Sequence, residues 1–331
     1  MKIEHWKKIL FVWMLVLAVG LAACQSGGEE ETTEGEKPEE TEQSEENAEE
    51  SEEDGDASSD VITLTDKSGE EVTIEEEPER IVTVIPSATE TVFAVGGGDK
   101  VVGVDEWSNY PEEVTEIEKI GDMNLNIEKI VELEPDLVIA DLNNGDSVQA
   151  LRDAGLKVVV LGAQNLEETY EDLRLTGEAL GTEEEAEQVI EDMQTKINEI
   201  EELTSDLSED EKKTVWFEID QELYTAAEGT FMDELLDIAG GKNIMEGEEG
   251  WPQVSEEVVI EANPDVIITT YGYYMEDVEE QVMARDSWAG VTAVQNEAVL
   301  NSENDILSRP GPRLAEGLEQ MVTILYPDLM E

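Results

Sequence analysis

Histidine and cysteine are almost missing from this chain, which has one of each in 331 residues, His5 and Cys24. Positive charge is scarce too: 19 lysines and arginines stand against 85 aspartates and glutamates, for a formal net charge of −66. Aromatic residues make up only 5%. Each shortage excludes a class of chemistry. A lone cysteine forms no internal disulfide, and a lone histidine near the N-terminus leaves no Ser–His or Cys–His catalysis and no zinc site built on imidazole and thiolate. A chain this acidic repels phosphate, so nucleic acid is excluded as a partner. Carboxylates, tyrosines, tryptophans, amides and six arginines remain. That inventory suits binding, not turnover.

What is there begins with a leader. Lys2, Lys7 and Lys8 precede an apolar run, Ile9 to Ala18, that is too short for an ordinary spanning helix. Small residues then lead to Leu21-Ala22-Ala23-Cys24, so residues 1–23 read as a secretory signal that takes His5 with it. The Leu-Ala-Ala-Cys ending resembles the lipobox of bacterial lipoproteins, which implies that Cys24 is lipidated and becomes the mature N-terminus. Acyl chains contributing roughly 0.8 kcal/mol per buried CH₂ would hold it on a membrane. Residues 24–60 carry seventeen acids against Lys37 alone and almost nothing apolar, so they are expected to form an acidic, disordered tether. Beyond residue 60 the acids are scattered along helix faces instead of gathered in one loop, as on a surface tuned to high salt or high pH.

The rest alternates short β-branched runs with helical stretches. Ile81–Ile85, Leu137–Ala140, Val158–Leu161, Thr214–Phe217 and Val266–Thr269 are continuous apolar strands, the pattern of sheets covered on both faces. A hairpin over Val61–Leu64 and Glu71–Ile74 is expected to edge the first sheet. One long helix is expected from Glu183 to about Leu207, with Thr182 and Glu185 as a capping box. Ala186, Val189, Ile190, Met193, Ile197, Ile200 and Leu203 form its apolar stripe. A broad, irregular stripe fits a strut between two lobes better than a coiled-coil dimer seam.

An internal repeat ties the halves together. Asn126 to Ala140 aligns without gaps with Ser255 to Thr269: an N-cap, a short amphipathic helix, a Pro-Asp turn and a buried strand in each copy. Glu128 and Glu257 fall at the same place in the two copies. A second echo pairs Val92–Gly97 with Leu235–Gly241. Two variants of one unit imply a ligand cleft between them.

Several motifs then carry a family resemblance. They are Arg80–Glu90, Gly103–Pro111, Asn126–Ala140, Tyr224–Asp233, Trp251-Pro-Gln-Val-Ser255 and Ser308-Arg-Pro-Gly-Pro-Arg313. Over residues 61–328 the chain resembles class III substrate-binding proteins of ATP-binding-cassette importers, the family serving cobalamin, haem and ferric siderophores. The resemblance implies two Rossmann-like α/β lobes, residues 61–181 and 209–331, joined by a connecting helix over 182–208. It implies a monomeric, non-enzymatic lipoprotein of Gram-positive type on the outer face of the cell membrane, handing its ligand to a permease dimer and its ATPase. The motifs around Tyr110, Trp251 and Arg309 look most like the cobalamin branch, and a hydroxamate-type ferric siderophore or haem is the alternative. By that resemblance Trp107, Tyr224, Trp251, Asp305 and Arg309 face ligand, while Glu128 and Glu257 dock the permease. The flat aromatic surfaces this places in the cleft suit a broad, nearly neutral corrin ring. Trp216 and Trp288, inside a strand and near an apolar helix end, are expected in the core. No cofactor is expected.

Overall fold

A computed structural model of the protein describes residues 61–122, 124–302 and 304–330. The signal segment, Cys24 and the acidic stretch fall outside them. The hairpin comes first, β1 (Ile62–Thr65) antiparallel to β2 (Glu71–Ile74). Asp66 shapes its turn, Oδ1 accepting from the amides of Ser68 at 2.9 Å and Glu70 at 3.1 Å. The hairpin does not join the first sheet as a strand; it is a separate two-stranded sheet. Its turn is tied to that sheet, where the amide of Lys67 donates to Val160 O at 2.9 Å and the amide of Val160 donates to Asp66 Oδ2 at 3.1 Å.

The N-terminal lobe runs β3 (Ile81–Thr83), α1 (Pro86–Ala94), β4 (Val101–Val104), α2 (Ile127–Glu132), β5 (Leu137–Asp141), α3 (Asp146–Asp153) and β6 (Val158–Leu161). Two helices follow, α4 (Leu166–Leu180) and α5 (Glu183–Thr204). The C-terminal lobe begins with β7 (Thr214–Glu218), α6 (Phe231–Ile238), β8 (Lys242–Asn243), α7 (Glu256–Ala262) and β9 (Val266–Thr269). It ends with α8 (Val278–Met283), α9 (Thr292–Gln295), β10 (Val299–Asn301), α10 (Asn304–Ser308) and α11 (Leu314–Leu325). Both four-stranded sheets are wholly parallel, ordered β4-β3-β5-β6 and β8-β7-β9-β10. Matching β3 to β7 and β5 to β9 makes the two orders the same. The fold is α/β with two lobes of one design, and the apolar runs are buried strands because helices cover both faces.

The repeat has a structural purpose in each copy. Asp136, at the start of β5, accepts from the amides of Glu79 and Arg80 at 2.9 Å, clipping the entrance to β3. Asp265, at the start of β9, accepts from the amide of Thr214 at 3.0 Å, clipping the entrance to β7. Glu134 and Asn263, each just before the proline, share a left-handed conformation with φ near 50°. In the second echo Gly96 and Gly240 end α1 and α6 at φ +88° and +74°. The next amides reach back five residues, Gly97 to Val92 O at 2.8 Å and Gly241 to Leu236 O at 2.9 Å, the pattern of a Schellman stop. The caps differ: Asn126 Oδ1 accepts from the amide of Lys129 at 3.1 Å, whereas the Ser255 side chain makes no cap bond and instead donates to the Glu257 carboxylate.

Helix α5 crosses from one lobe to the other, packing on α1 and α4 and on α6 and α11. Its stripe of Ala186, Ile190, Met193, Ile197 and Ile200 is buried, at roughly 1.5–3 kcal/mol for each large side chain. The expected stripe is corrected at its end: Leu203 is exposed, and the helix stops at Thr204. The expected capping box is corrected as well. Thr182 makes no side-chain cap, its hydroxyl is buried without a partner, and its amide instead donates to Gly177 O at 2.8 Å to close the turn after α4. One hydrophobic core runs without a break from β3, β5 and α1 through α5 to β7, α6 and α11. A core shared by both lobes resists wide hinge opening.

Candidate ligand cleft between the lobes

In parallel α/β sheets, ligands meet loops at the carboxyl ends of strands. Here those loops face each other across the lobe boundary. Trp107 follows β4 and is 54% exposed. Its loop is set from below: Asp105 Oδ1 accepts from the Trp107 amide at 2.8 Å, and the Ser108 hydroxyl donates to Asp105 Oδ2. Ser108 Oγ pairs with Thr89 Oγ1 at 2.7 Å, and Thr89 with Thr83 at 2.6 Å, so a buried polar chain runs from the end of β3 to the loop. Burial raises the Asp105 carboxyl above its ordinary value, although these hydrogen bonds oppose the shift.

The opposite wall rests on a second buried carboxylate. Glu218, at the end of β7, is 0% exposed and takes both arms of Arg285 at 2.7 and 2.6 Å. The Tyr271 hydroxyl donates to it at 2.5 Å and Trp216 Nε1 at 3.3 Å. Arg285 lies 4.3 Å over the Trp288 ring. Burial, with the Glu218 carboxylate beside it, pushes the Tyr271 phenol up from its ordinary value. From this base the rings climb outward. Tyr274 stacks on Tyr271 with centroids 5.8 Å apart, and Tyr273 meets Tyr274 edge-on at 4.8 Å. Tyr271 is core, while Tyr273 and Tyr274 are more than half exposed.

Trp251 and Tyr224 are both about one-third exposed, in the same lobe. Trp251 leans on Phe231 with centroids 5.5 Å apart, and its Nε1 reaches Gln164 Oε1 of the other lobe at 3.5 Å. Gln164 O also accepts from the Phe231 amide at 2.8 Å. Tyr224 is held in place by a backbone bridge to Gln253. Asp305 accepts from Asn109 Nδ2 at 2.8 Å and pairs with Arg309 at 2.8 Å. Arg309 also donates to Glu90 at 2.8 Å, Asn109 Oδ1 at 2.9 Å and Trp107 O at 3.2 Å.

Glu128 and Glu257 are the second residues of α2 and α7, both exposed. Helices that run antiparallel to their strands begin at the cleft end of the sheet, so each lobe presents one glutamate on that rim. Trp216 and Trp288 are fully buried, as expected. Asp141 is the last residue of β5 and buried, which raises its carboxyl.

Sequence reading did not reach Glu90, Glu218 or Asp105. Glu218 and Asp105 directly follow apolar runs, in Thr-Val-Trp-Phe-Glu and Val-Val-Gly-Val-Asp, whereas Glu90 lies between two threonines in Ser-Ala-Thr-Glu-Thr. A buried acid needs a partner, and with six arginines in the chain the partners could have been sought.

The Periplasmic binding protein family matches residues 81–305. An uncharacterized ABC transporter substrate-binding lipoprotein of Bacillus subtilis, YvrC, is 40% identical, over 81% of this chain and 86% of that one. The vitamin B12-binding protein of Vibrio cholerae is 31% identical over 75% of this chain and 89% of its own. Among solved structures, a possible iron-binding (periplasmic solute-binding) protein of Staphylococcus epidermidis shares 31% identity at a TM-score of 0.67, covering 76% of this chain and all of that one. The heme-binding protein RhuT of Roseiflexus shares 26% identity at a TM-score of 0.69, covering 76% of this chain and 99% of that one. With its duplicated parallel sheets in two lobes, the chain belongs to the periplasmic binding protein family, as a non-enzymatic solute-binding protein of an ABC importer.

Proposed function

We propose that the protein captures a corrinoid such as cobalamin and delivers it to an ABC importer. The observation that carries this is the pairing of exposed rings with spent cations. Trp107, Tyr224, Trp251, Tyr273 and Tyr274 stand exposed on the two sides of the groove. All six arginines are engaged within the protein: Arg80 with Leu133 O, Arg152 with Asp66, Arg174 with Glu187, Arg285 with Glu218, and Arg309 and Arg313 with Glu90. Flat aromatic surface without free guanidinium favours a broad, nearly neutral, amide-fringed guest over an anionic chelate. Ligand contact is assigned to Trp107, Tyr224 and Trp251, with Asp305 and Arg309 at the edge of the groove. The sequence similarity to the vitamin B12-binding relative supports the same choice.

Residues 61–181 and 209–331 would be the two lobes of a monomer, joined by 182–208. Cys24 would carry the lipid that holds it on the outer face of the cell membrane, a reading that the similarity to a B. subtilis lipoprotein supports. Glu128 and Glu257 would meet the permease. The second reading is a neutral ferric hydroxamate; the similarity to a possible iron-binding protein of S. epidermidis supports iron only in general. Calorimetric titration of the full chain with cyanocobalamin, a ferric hydroxamate and haem separates them. Heat with cyanocobalamin alone is expected; heat only with haem or the hydroxamate overturns the corrinoid reading.

A further inference from the structure

Glu90 lies on α1 of the N-terminal lobe and is buried, yet its partners come from the other end of the chain. Arg313 Nε donates to its Oε2 at 2.8 Å and Nη2 to its Oε1 at 2.7 Å, a two-armed pair, and Arg309 Nη1 adds a third bond at 2.8 Å. The same two arginines reach the Trp107 loop. Arg309 holds Trp107 O and Asn109 Oδ1, while Arg313 lies 4.0 Å over the Tyr110 ring. Between them Pro310 and Pro312 flank Gly311, where an added Cβ would sit 4.0 Å from Ser87 O and Thr91 Oγ1 of α1. Two prolines fix φ and reduce the freedom of this segment. Arg313 also borders a groove of about 460 Å³ with Phe93, Met193 and Ala315, although only 12% of its side chain is exposed. Charge pairing and the Tyr110 ring hold its guanidinium.

We infer that Glu90 and Arg313 are positioning residues for the cleft: the C-terminal lobe reaches over through them and fixes the Trp107–Pro111 wall of the N-terminal lobe. Neither needs to touch the ligand. Two short polar chains hold the wall, Asp105–Ser108–Thr89 from within its own lobe and Glu90–Arg313 from the other, so the wall is in register with the opposite rings before any guest arrives. A preset wall reduces the ordering cost of binding and lengthens residence. The inference rests on the reading of this groove as the ligand site only for its affinity test.

The experiment uses the full chain and two single variants. Arg313→Lys keeps the charge and removes the two-armed geometry and most of the ring overlap. Glu90→Gln removes the charge at nearly constant volume. Hydrogen exchange of the Glu106, Trp107 and Ser108 amides is followed without ligand, with the β5 amides as reference. The loop amides are expected to exchange about tenfold faster in both variants while β5 holds its rate. Unchanged loop exchange overturns the inference, and so does uniform acceleration everywhere, which would mark Glu90 and Arg313 as purely structural. With cyanocobalamin, dissociation of Arg313→Lys is expected to be about tenfold faster with association nearly constant. A wild-type chain that binds no corrinoid would reject the ligand reading, and the exchange result would still decide this one.

Discussion

Trp107 and Tyr273 meet edge to face across the lobe boundary, ring centroids 6.1 Å apart and planes at 79°. One ring comes from each lobe, and both are more than half exposed. Nothing in folding requires two large rings to stand in solvent there. A flat guest that replaces this contact would be held on both sides.

Trp107→Ala is therefore expected to weaken corrinoid binding by about 10- to 100-fold, the range for losing one central aromatic anchor. Trp107 emission should quench on titration in the wild type and lose that component in the variant. Equal affinity in the two proteins would remove Trp107 from the site.

Asp172, on α4, accepts from the amides of Gly162 and Ala163 at 2.9 Å through Oδ2, but its Oδ1 is buried without a partner. Burial pushes its carboxyl from 3.8 to about 6; the two amides and Lys67 oppose the shift, and Asp141 adds to it. Between pH about 4 and 6 the folded chain keeps a proton that the unfolded chain has lost. Stability from this group is then complete below about pH 4 and falls as pH rises toward 6, by on the order of 2–3 kcal/mol. Asp172→Asn removes the ionisation, so its midpoint in urea relative to wild type should be higher at pH 7.5 than at pH 4.5. Parallel pH profiles would contradict this. The comparison is between two proteins because general carboxylate titration also changes the net charge.

Glu218 bears the charge of Arg285 inside the C-terminal lobe. Glu218→Ala leaves that part-buried guanidinium without its carboxylate, and about 3 kcal/mol of stability should be lost. Urea unfolding measures it, and a loss below about 1 kcal/mol would mean that solvent reaches the site.

Glu128→Arg with Glu257→Arg should stop uptake in cells while ligand affinity in solution stays at the wild-type value. Both carboxylates are exposed at matched places, so neither reversal should disturb packing. Sustained transport would dismiss their role at the permease.

A net charge of −66 makes self-repulsion a large destabilising effect at low ionic strength. Thermal midpoints are expected to climb between 10 mM and 1 M salt, where the Debye length shrinks from about 30 to 3 Å. A flat response would show that the surface acids are already neutralised by their neighbours.

The amino-acid order alone determined the parts that follow from local pattern. Val158–Leu161 and Val266–Thr269 are strands because an unbroken apolar run must be covered on both faces, and the repeat from Asn126 and Ser255 carries the duplication in the sequence itself. Trp216, inside such a run, reads as core for the same reason, and Trp288 does so from its place near an apolar helix end. Only the tertiary structure decided the pairings. Glu90 lies more than two hundred positions from Arg309 and Arg313, and Trp107 is as remote from Arg309. Thr182 looked like a cap, yet the tight turn at Gly181 sends its amide to Gly177 O and leaves its hydroxyl without a partner. Local pattern reports which side of a segment avoids water; which charge answers which, across a lobe boundary, depends on where the packed sheets place their loops.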